Sequence, residues 1–129
     1  MVSNGTGIAP FLGMVDQFGR VQDIHLYCGF RNQQSFALYE NAINKETSLL
    51  TKLNVAYSRE GEKHYVKDLL LRDQALVCET LKNNGVIMLC GSLSMQKDVI
   101  ALLEDLCQQD QQKSISYYQS RGQILMDCY

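Results

Sequence analysis

The sequence predicts an α/β fold, a doubly wound parallel sheet with helices on both faces, and three observations carry that expectation. Apolar runs rich in β-branched and aromatic residues alternate with stretches of helical period along all 129 residues, the pattern of parallel strands joined by crossover helices. The run Val86-Ile87-Met88-Leu89-Cys90 is continuously apolar, as strands buried on both faces are. A glycine-rich turn, Gly5-Thr6-Gly7, opens directly into a helical pattern.

The elements follow in order. Only Met1-Val2-Ser3 precede Asn4-Gly5. The first strand therefore reads as cut short, and an N-terminal part of the native protein is expected upstream. Ile8, Phe11, Leu12, Val15 and Phe18 then fall on one helical face. Residues 24–29 read as a strand, and Phe36, Tyr39 and Ile43 mark the next helix. Residues 53–57 form the third strand. Val66, Leu69, Leu70, Val77 and Leu81 share a helical stretch that breaks near Asp73. After the strand at 86–90, Met95, Val99, Leu102, Leu103 and Leu106 lie on one helical face. The polar run 108–113 is expected as an exposed connection, since its glutamines would be costly to bury unpaired. A short strand at 124–126 ends the pattern. No repeat or linker divides the chain, so residues 1–129 are expected to form one domain.

Composition narrows the function. Hydrophobic residues make up 46% and charged residues 20%, as in globular rather than disordered chains. A net charge of -2 argues against a nucleic-acid partner. No apolar run approaches the roughly 20 residues of a membrane span, and no secretory signal pattern is visible. The five cysteines, Cys28, Cys78, Cys90, Cys107 and Cys128, include no pair with the close spacing of a zinc site. Free thiols in a reducing, cytoplasmic setting are expected, and no metal site.

Four motifs carry chemistry, each with an ordinary alternative. Gly5-x-Gly7-x-x-Pro10 sits where a strand turns into a helix. Glycines there allow tight turning and close approach to a pyrophosphate, and the helix N-terminus offers free N–H groups. Thr6 adds a hydroxyl, and Pro10 suits the first helical turn. The alternative is a plain strand–turn–helix junction. Ser58, Arg59 and Lys63 follow the third strand, near where doubly wound sheets hold the adenosine ribose. Their hydroxyl, guanidinium and ammonium suit a 2′-phosphate, and Tyr65 would pack on the adenine or donate to the phosphate. A solvated charged loop is the alternative. Cys90-Gly91 ends the most apolar strand, where a thiol would meet a nicotinamide and a glycine would let the ring approach. A buried structural cysteine is the commoner fate. Asp98, which follows with Met95, is either a cofactor contact or an acid in the first helical turn complementing the helix dipole. Asp127-Cys128-Tyr129 closes the chain; a terminal ring would cover a flat cofactor, though termini commonly fray.

In this order and spacing the motifs resemble the NADP-binding domain of the ferredoxin–NADP reductase superfamily. The nearest likeness is to its diflavin branch, typified by NADPH–cytochrome P450 reductase and the sulfite reductase flavoprotein. The resemblance runs from Gly5 to Tyr129. It implies a Rossmann-like, five-stranded parallel sheet, with Gly5, Thr6 and Gly7 on the pyrophosphate and Arg31 near the cofactor phosphates. It implies 2′-phosphate and adenine contacts from Ser58, Arg59, Lys63 and Tyr65. Cys90 and Asp127 would assist hydride transfer, with Gly91 and Asp98 among the cofactor contacts. Tyr129 would stack on the flavin. There are departures. Leu12 stands where many members have arginine, and Lys67 replaces a glutamine, adding a charge able to serve the 2′-phosphate. Ser92 replaces an acid, which touches nicotinamide positioning. The terminal tyrosine leans toward the sulfite reductase and plant-type members.

The resemblance implies a flavoprotein oxidoreductase, in which this chain delivers hydride from NADPH to FAD for onward electron transfer. The FAD would be held mainly by an FAD-binding domain of the same native chain, and FMN would lie elsewhere. This chain alone is expected to be inactive. The electron acceptor, an upstream membrane tether and the oligomeric state are left open. A non-catalytic NADP(H)-binding redox sensor is the rival, and it would need the phosphate contacts but not Cys90, Asp127 and Tyr129.

Overall fold

The computed structural model describes residues 1–110 and 113–129. A five-stranded, all-parallel sheet has the order β3-β2-β1-β4-β5. The first half contains β1 (Val2–Asn4), a 3-10 turn (Gly5–Gly7), α1 (Ile8–Phe18), β2 (His25–Phe30), α2 (Gln33–Glu46) and β3 (Lys52–Tyr57). The second contains α3 (Val66–Arg72), α4 (Gln74–Lys82), β4 (Ile87–Gly91), α5 (Leu93–Gln109), α6 (Ile115–Ser120) and β5 (Ile124–Cys128). The chain winds outward from β1 through β2 to β3, then crosses back to β4 on β1's other side. Strand order therefore reverses between β1 and β4, the switch point where such sheets open a crevice at their carboxyl ends.

Each sheet face carries its own core. Ile8, Phe11, Leu26, Cys28, Phe30, Ile43 and Cys90 are buried together on the side of α1 and α2. Leu70, Val77, Leu81, Leu89, Val99 and Leu103 are buried on the side of α3 to α5. In β4, Leu89 packs in one core and Cys90 in the other, which is why that strand reads as apolar without alternation. β1 has only three residues yet occupies the centre, pairing Val2 with Tyr27 on one side and Leu89 on the other.

The expected helix break falls at Asp73, between α3 and α4. Its carboxylate accepts from the Tyr27 hydroxyl at 2.8 Å and from Arg72 Nε at 3.0 Å. Arg72 Nη2 also donates to Asn54 Oδ1 at 2.7 Å, so one polar network ties the break to β2 and β3. The Arg72 guanidinium and the Tyr27 hydroxyl hold the Asp73 carboxyl well below the usual carboxylate range.

Some sequence expectations shift. Phe18, expected on the buried face of α1, is the helix's last residue and is 43% exposed. The last strand continues past 126 to Cys128. The helix α6 was not expected. It is six residues long, capped by Ser114 and buried only at Ile115 and Tyr118, too short to show a period. Within the polar run 108–113, Gln108, Gln109, Asp110 and Lys113 are exposed and α5 extends through Gln109; residues 111–112 lie outside the described residues. No helix among the described residues is long and apolar enough to cross a membrane.

Candidate nucleotide cleft

A cleft of about 550 Å³ opens at the carboxyl ends of the strands. The ends of β1 and β2, the segment Tyr65–Lys67, the first turns of α5 and the C-terminal residue form its walls. Among the residues expected in a site, Gly5, Thr6, Arg31, Ser58, Tyr65, Lys67, Asp98 and Tyr129 line it together. Arg59 and Lys63 stand exposed on the neighbouring loop without lining the cleft. Gly7, Cys90, Gly91 and Asp127 also lie outside the lining, so of the three expected catalytic residues only Tyr129 faces the cleft.

The glycine-rich turn has two different glycines. Gly5 has φ +54° with open space where a Cβ would stand, so the backbone conformation itself requires glycine while leaving room beside it. Gly7 is buried, and a Cβ there would lie 2.1 Å from the Cys90 carbonyl oxygen. Its lack of a side chain lets the turn pack against β4. Pro10 falls in the first turn of α1, where its missing N–H costs nothing. The Thr6 hydroxyl hydrogen-bonds the Tyr129 hydroxyl.

At one end of the cleft, β2 and β3 both stop and their chains stay joined: Ser58 N donates to Phe30 O at 2.9 Å and Arg59 N to Arg31 O at 2.8 Å. These two bonds hold Arg31, Ser58 and Arg59 in one patch. Glu60 Oε1 accepts from Gln33 N at 2.8 Å, capping α2 and fixing the loop that carries Ser58 and Arg59. Lys67 Nζ stands 3.9 Å from Asp98 Oδ2, both side chains part-exposed. Asp98 lies in the second turn of α5, which starts at Leu93; it is not a first-turn acid, and the pairing with Lys67 occupies it instead.

At the other end, Cys90 and Asp127 are register partners in adjacent parallel strands. Burial, with a smaller contribution from the Asp127 carboxylate, pushes the Cys90 thiol above its ordinary range. It is a neutral S–H at pH 7, not a thiolate nucleophile. Tyr129 does not fray. Its N–H donates to Gly91 O at 2.9 Å and its carbonyl accepts from Leu93 N at 3.1 Å, while its side chain stays 66% exposed.

Sequence reasoning missed Asn4, Ser35 and Leu38, which also line the cleft. Asn4 Oδ1 accepts from Ser92 N at 2.8 Å and its Nδ2 donates to Ser92 Oγ at 3.0 Å. A carboxamide ahead of a glycine-rich turn was the available signal. Ser35 is tied by its own N–H to Asn32 Oδ1 at 2.9 Å, a helix-capping pattern visible in Asn32-x-x-Ser35. Leu38 is 81% exposed on α2, and nothing in the helical period distinguishes it.

Comparison with known proteins identifies relatives of the chain. Residues 1–100 match the family model described as the oxidoreductase NAD-binding domain. The chain is 36% identical over 111 residues to NADPH–cytochrome P450 reductase of Salmo trutta, covering 77% of this chain and 18% of the relative. It is 35% identical over 96 residues to NADPH oxidoreductase A of Dictyostelium discoideum, covering 70% and 15%. It is 34% identical over 119 residues to methionine synthase reductase of Mus musculus, covering 77% and 17%. The chain thus spans less than a fifth of the length of these relatives.

Proposed function

This chain belongs to the oxidoreductase NAD-binding domain family, in its diflavin-type ferredoxin–NADP reductase branch, and from that premise we propose that it binds NADP(H) and presents the nicotinamide to a flavin. The observation that carries the reading is the cleft at the switch point, which brings the Gly5-Thr6 turn and the patch at Arg31 and Ser58 into one cavity. A pyrophosphate would take the open side of Gly5 and the Thr6 hydroxyl. A 2′-phosphate would meet Ser58 and Arg31, with Arg59 and Lys63 supplied by the adjoining loop.

When bound, NADPH supplies a hydride from nicotinamide C4, and the acceptor is the N5 of an FAD held mainly by a further domain of a longer native chain. The residues here position rather than react, which contributes several kcal/mol when the reacting atoms are held roughly 3–3.5 Å apart. The place of a Cβ on Gly91 is filled by the Asn4 carboxamide, so this glycine shapes the turn into α5 rather than opening a path for the ring. Cys90 is buried in the core behind the cleft lining, so on this reading it supports the nicotinamide edge from beneath, as a neutral S–H with Asp127 beside it in register. Tyr129 would cover the face of a flavin and would have to move aside for the nicotinamide, so its movement would gate the transfer. On this reading residues 1–129 belong to one NADP(H)-binding domain, an electron acceptor docks elsewhere, and the working compartment would be the cytoplasm, with or without a membrane tether upstream.

Calorimetric titration of the chain with NADP⁺ and NAD⁺ tests the cofactor assignment. Arg59→Ala should weaken NADP⁺ binding by about tenfold to a hundredfold, the effect of losing a hydrogen bond to a charged group. NAD⁺ affinity should hardly change. Equal losses for both nucleotides would assign Arg59 to the fold or the pyrophosphate and remove the case for NADP(H).

A further inference from the structure

We infer that Asn4, paired with Ser92, is a positioning residue that fixes the pyrophosphate turn at its working distance from the nicotinamide edge of the sheet. The inference rests on the NADP(H) reading above and adds to it a residue that the motifs do not point to.

β1 and β4 pair through Val2↔Leu89 and Ser3↔Cys90, and the recorded ladder stops there. One residue further, β1 ends at Asn4 and β4 at Gly91, and the amide of Asn4 takes over from the backbone. Its oxygen accepts the Ser92 N–H at 2.8 Å and its nitrogen donates to Ser92 Oγ at 3.0 Å. The same Oγ accepts from Met95 N at 3.1 Å, so the hydroxyl that receives Asn4 also caps α5. The fit is close. Gly91 has φ +155°, and a Cβ on it would lie 2.0 Å from Asn4 Oδ1; the β4–α5 turn folds directly over the carboxamide. A side chain that offers an acceptor and a donor on one flat group meets both atoms of Ser92, whereas an alkyl group would leave the Ser92 N–H without a partner in a part-buried place.

The position of the pair gives it consequence. On one side Asn4 is covalently followed by Gly5 and Thr6, the expected pyrophosphate contacts. On the other, Ser92 lies between Gly91 and Leu93, the two residues that hold the Tyr129 backbone. Gly7 rests on the Cys90 carbonyl but has no side chain with which to anchor it. Beside the Thr6–Tyr129 hydroxyl pair, Asn4 is therefore the side chain that ties the turn that would hold the phosphates to the backbone of the edge where Cys90, Gly91 and Tyr129 converge. The 2′-phosphate patch on β2 and β3 is built from separate bonds between Phe30, Arg31, Ser58 and Arg59 and does not depend on it.

That separation supplies the test. NADP⁺ engages both the 2′-phosphate patch and the pyrophosphate turn, whereas 2′-AMP carries only the 2′-phosphate. Binding of each to the chain is followed by NMR titration for wild type, Asn4→Ala, Ser92→Ala and the double variant. Asn4→Ala should weaken NADP⁺ by about tenfold, the scale of one misplaced hydrogen bond to a charged group, and leave 2′-AMP affinity within about twofold. Ser92→Ala keeps the bond from its N–H to Asn4 and should lose less. The double variant should lose no more than Asn4→Ala, since the pair acts as one unit. Should Asn4→Ala fail to fold, Ser92→Ala decides, because it must still weaken NADP⁺ more than 2′-AMP. Equal weakening of both ligands would make the pair a support of the fold alone, and unchanged affinities would show that the turn holds itself; either result overturns the inference. Failure of the wild-type chain to bind either ligand would overturn the NADP(H) reading first.

Discussion

At the scale of single residues, the two glycines of the 5–7 turn look alike in sequence and differ in what they do. Gly5 needs its positive φ, while Gly7 needs to have no Cβ, because one would stand 2.1 Å from a backbone oxygen of β4. Gly7→Ala should therefore cost stability in the range of an overpacked core, about 1–3 kcal/mol, read as a lower urea midpoint. Gly13, whose Cβ would meet nothing within 4 Å, is the control: alanine there should be neutral or stabilising, since glycine within a helix costs roughly 0.5–1 kcal/mol relative to alanine. The motif announced the turn, but a contact to a strand more than eighty residues later is not written in its spacing. The same limit applies to the hydroxyl pair of Thr6 and Tyr129. A phosphate at the turn would compete with the terminal tyrosine for that threonine. Tyr129→Phe keeps the ring and removes the competitor. It should strengthen NADP⁺ binding by roughly twofold to tenfold, the value of one neutral hydrogen bond, and leave 2′-AMP unaffected. Calorimetry with both ligands checks it, and unchanged NADP⁺ affinity would mean the hydroxyl pair is incidental.

Among the elements, legibility followed length and burial. β4 announces itself because both of its faces are buried, and α5 because seventeen residues carry several turns of period. The helix α6, with six residues, has too few turns to show one, and its cap at Ser114 gains meaning only beside the structure. The break between α3 and α4 was visible as a lapse in the apolar pattern near Asp73. Its cause was not, since Tyr27 reaches the site from β2 and Asn54 from β3, as does Lys52, whose Nζ lies 3.6 Å from Asp73 Oδ2. Because the Asp73 carboxyl is held below its ordinary range, the sign of its pH effect is fixed. The network contributes fully above the unfolded carboxyl value of about 3.9, and its contribution is lost as pH falls through that value toward the folded one. Asp73→Asn should cost about 1–3 kcal/mol at pH 7 and distinctly less at pH 3. Urea unfolding at the two pH values measures the difference. A cost that does not change with pH would show that the carboxylate charge is irrelevant to the break.

Over the whole molecule, the alternation of strands and helices gave the fold class, and the order β3-β2-β1-β4-β5 then put the crevice between β1 and β4. What the sequence could not show is how the charge is shared out. The chain is acidic overall, at -2, while Arg31, Arg59, Lys63 and Lys67 gather on or beside one cleft. A ligand seated there links strands from both halves of the sheet to α5, so its binding energy should register as stability of the entire domain. At a ligand concentration a hundred times the dissociation constant, that linkage is about 2.7 kcal/mol. For a domain of this size the corresponding rise in Tm is roughly 10 °C, taking about 4 °C per kcal/mol. We expect 2′,5′-ADP to raise the Tm by this order when supplied at that excess, and 5′-AMP at the same concentration to raise it far less. Arg59→Ala should remove most of the difference between the two. Added salt should also shrink it, because Arg59 and Lys63 are exposed and exposed charges are screened beyond about 8 Å at physiological ionic strength. Calorimetric scans at low and high salt decide the point. A preference for 2′,5′-ADP that ignored both the salt and the arginine would place the 2′-phosphate away from the 58–63 loop, and the cleft would then have to be read in the opposite direction.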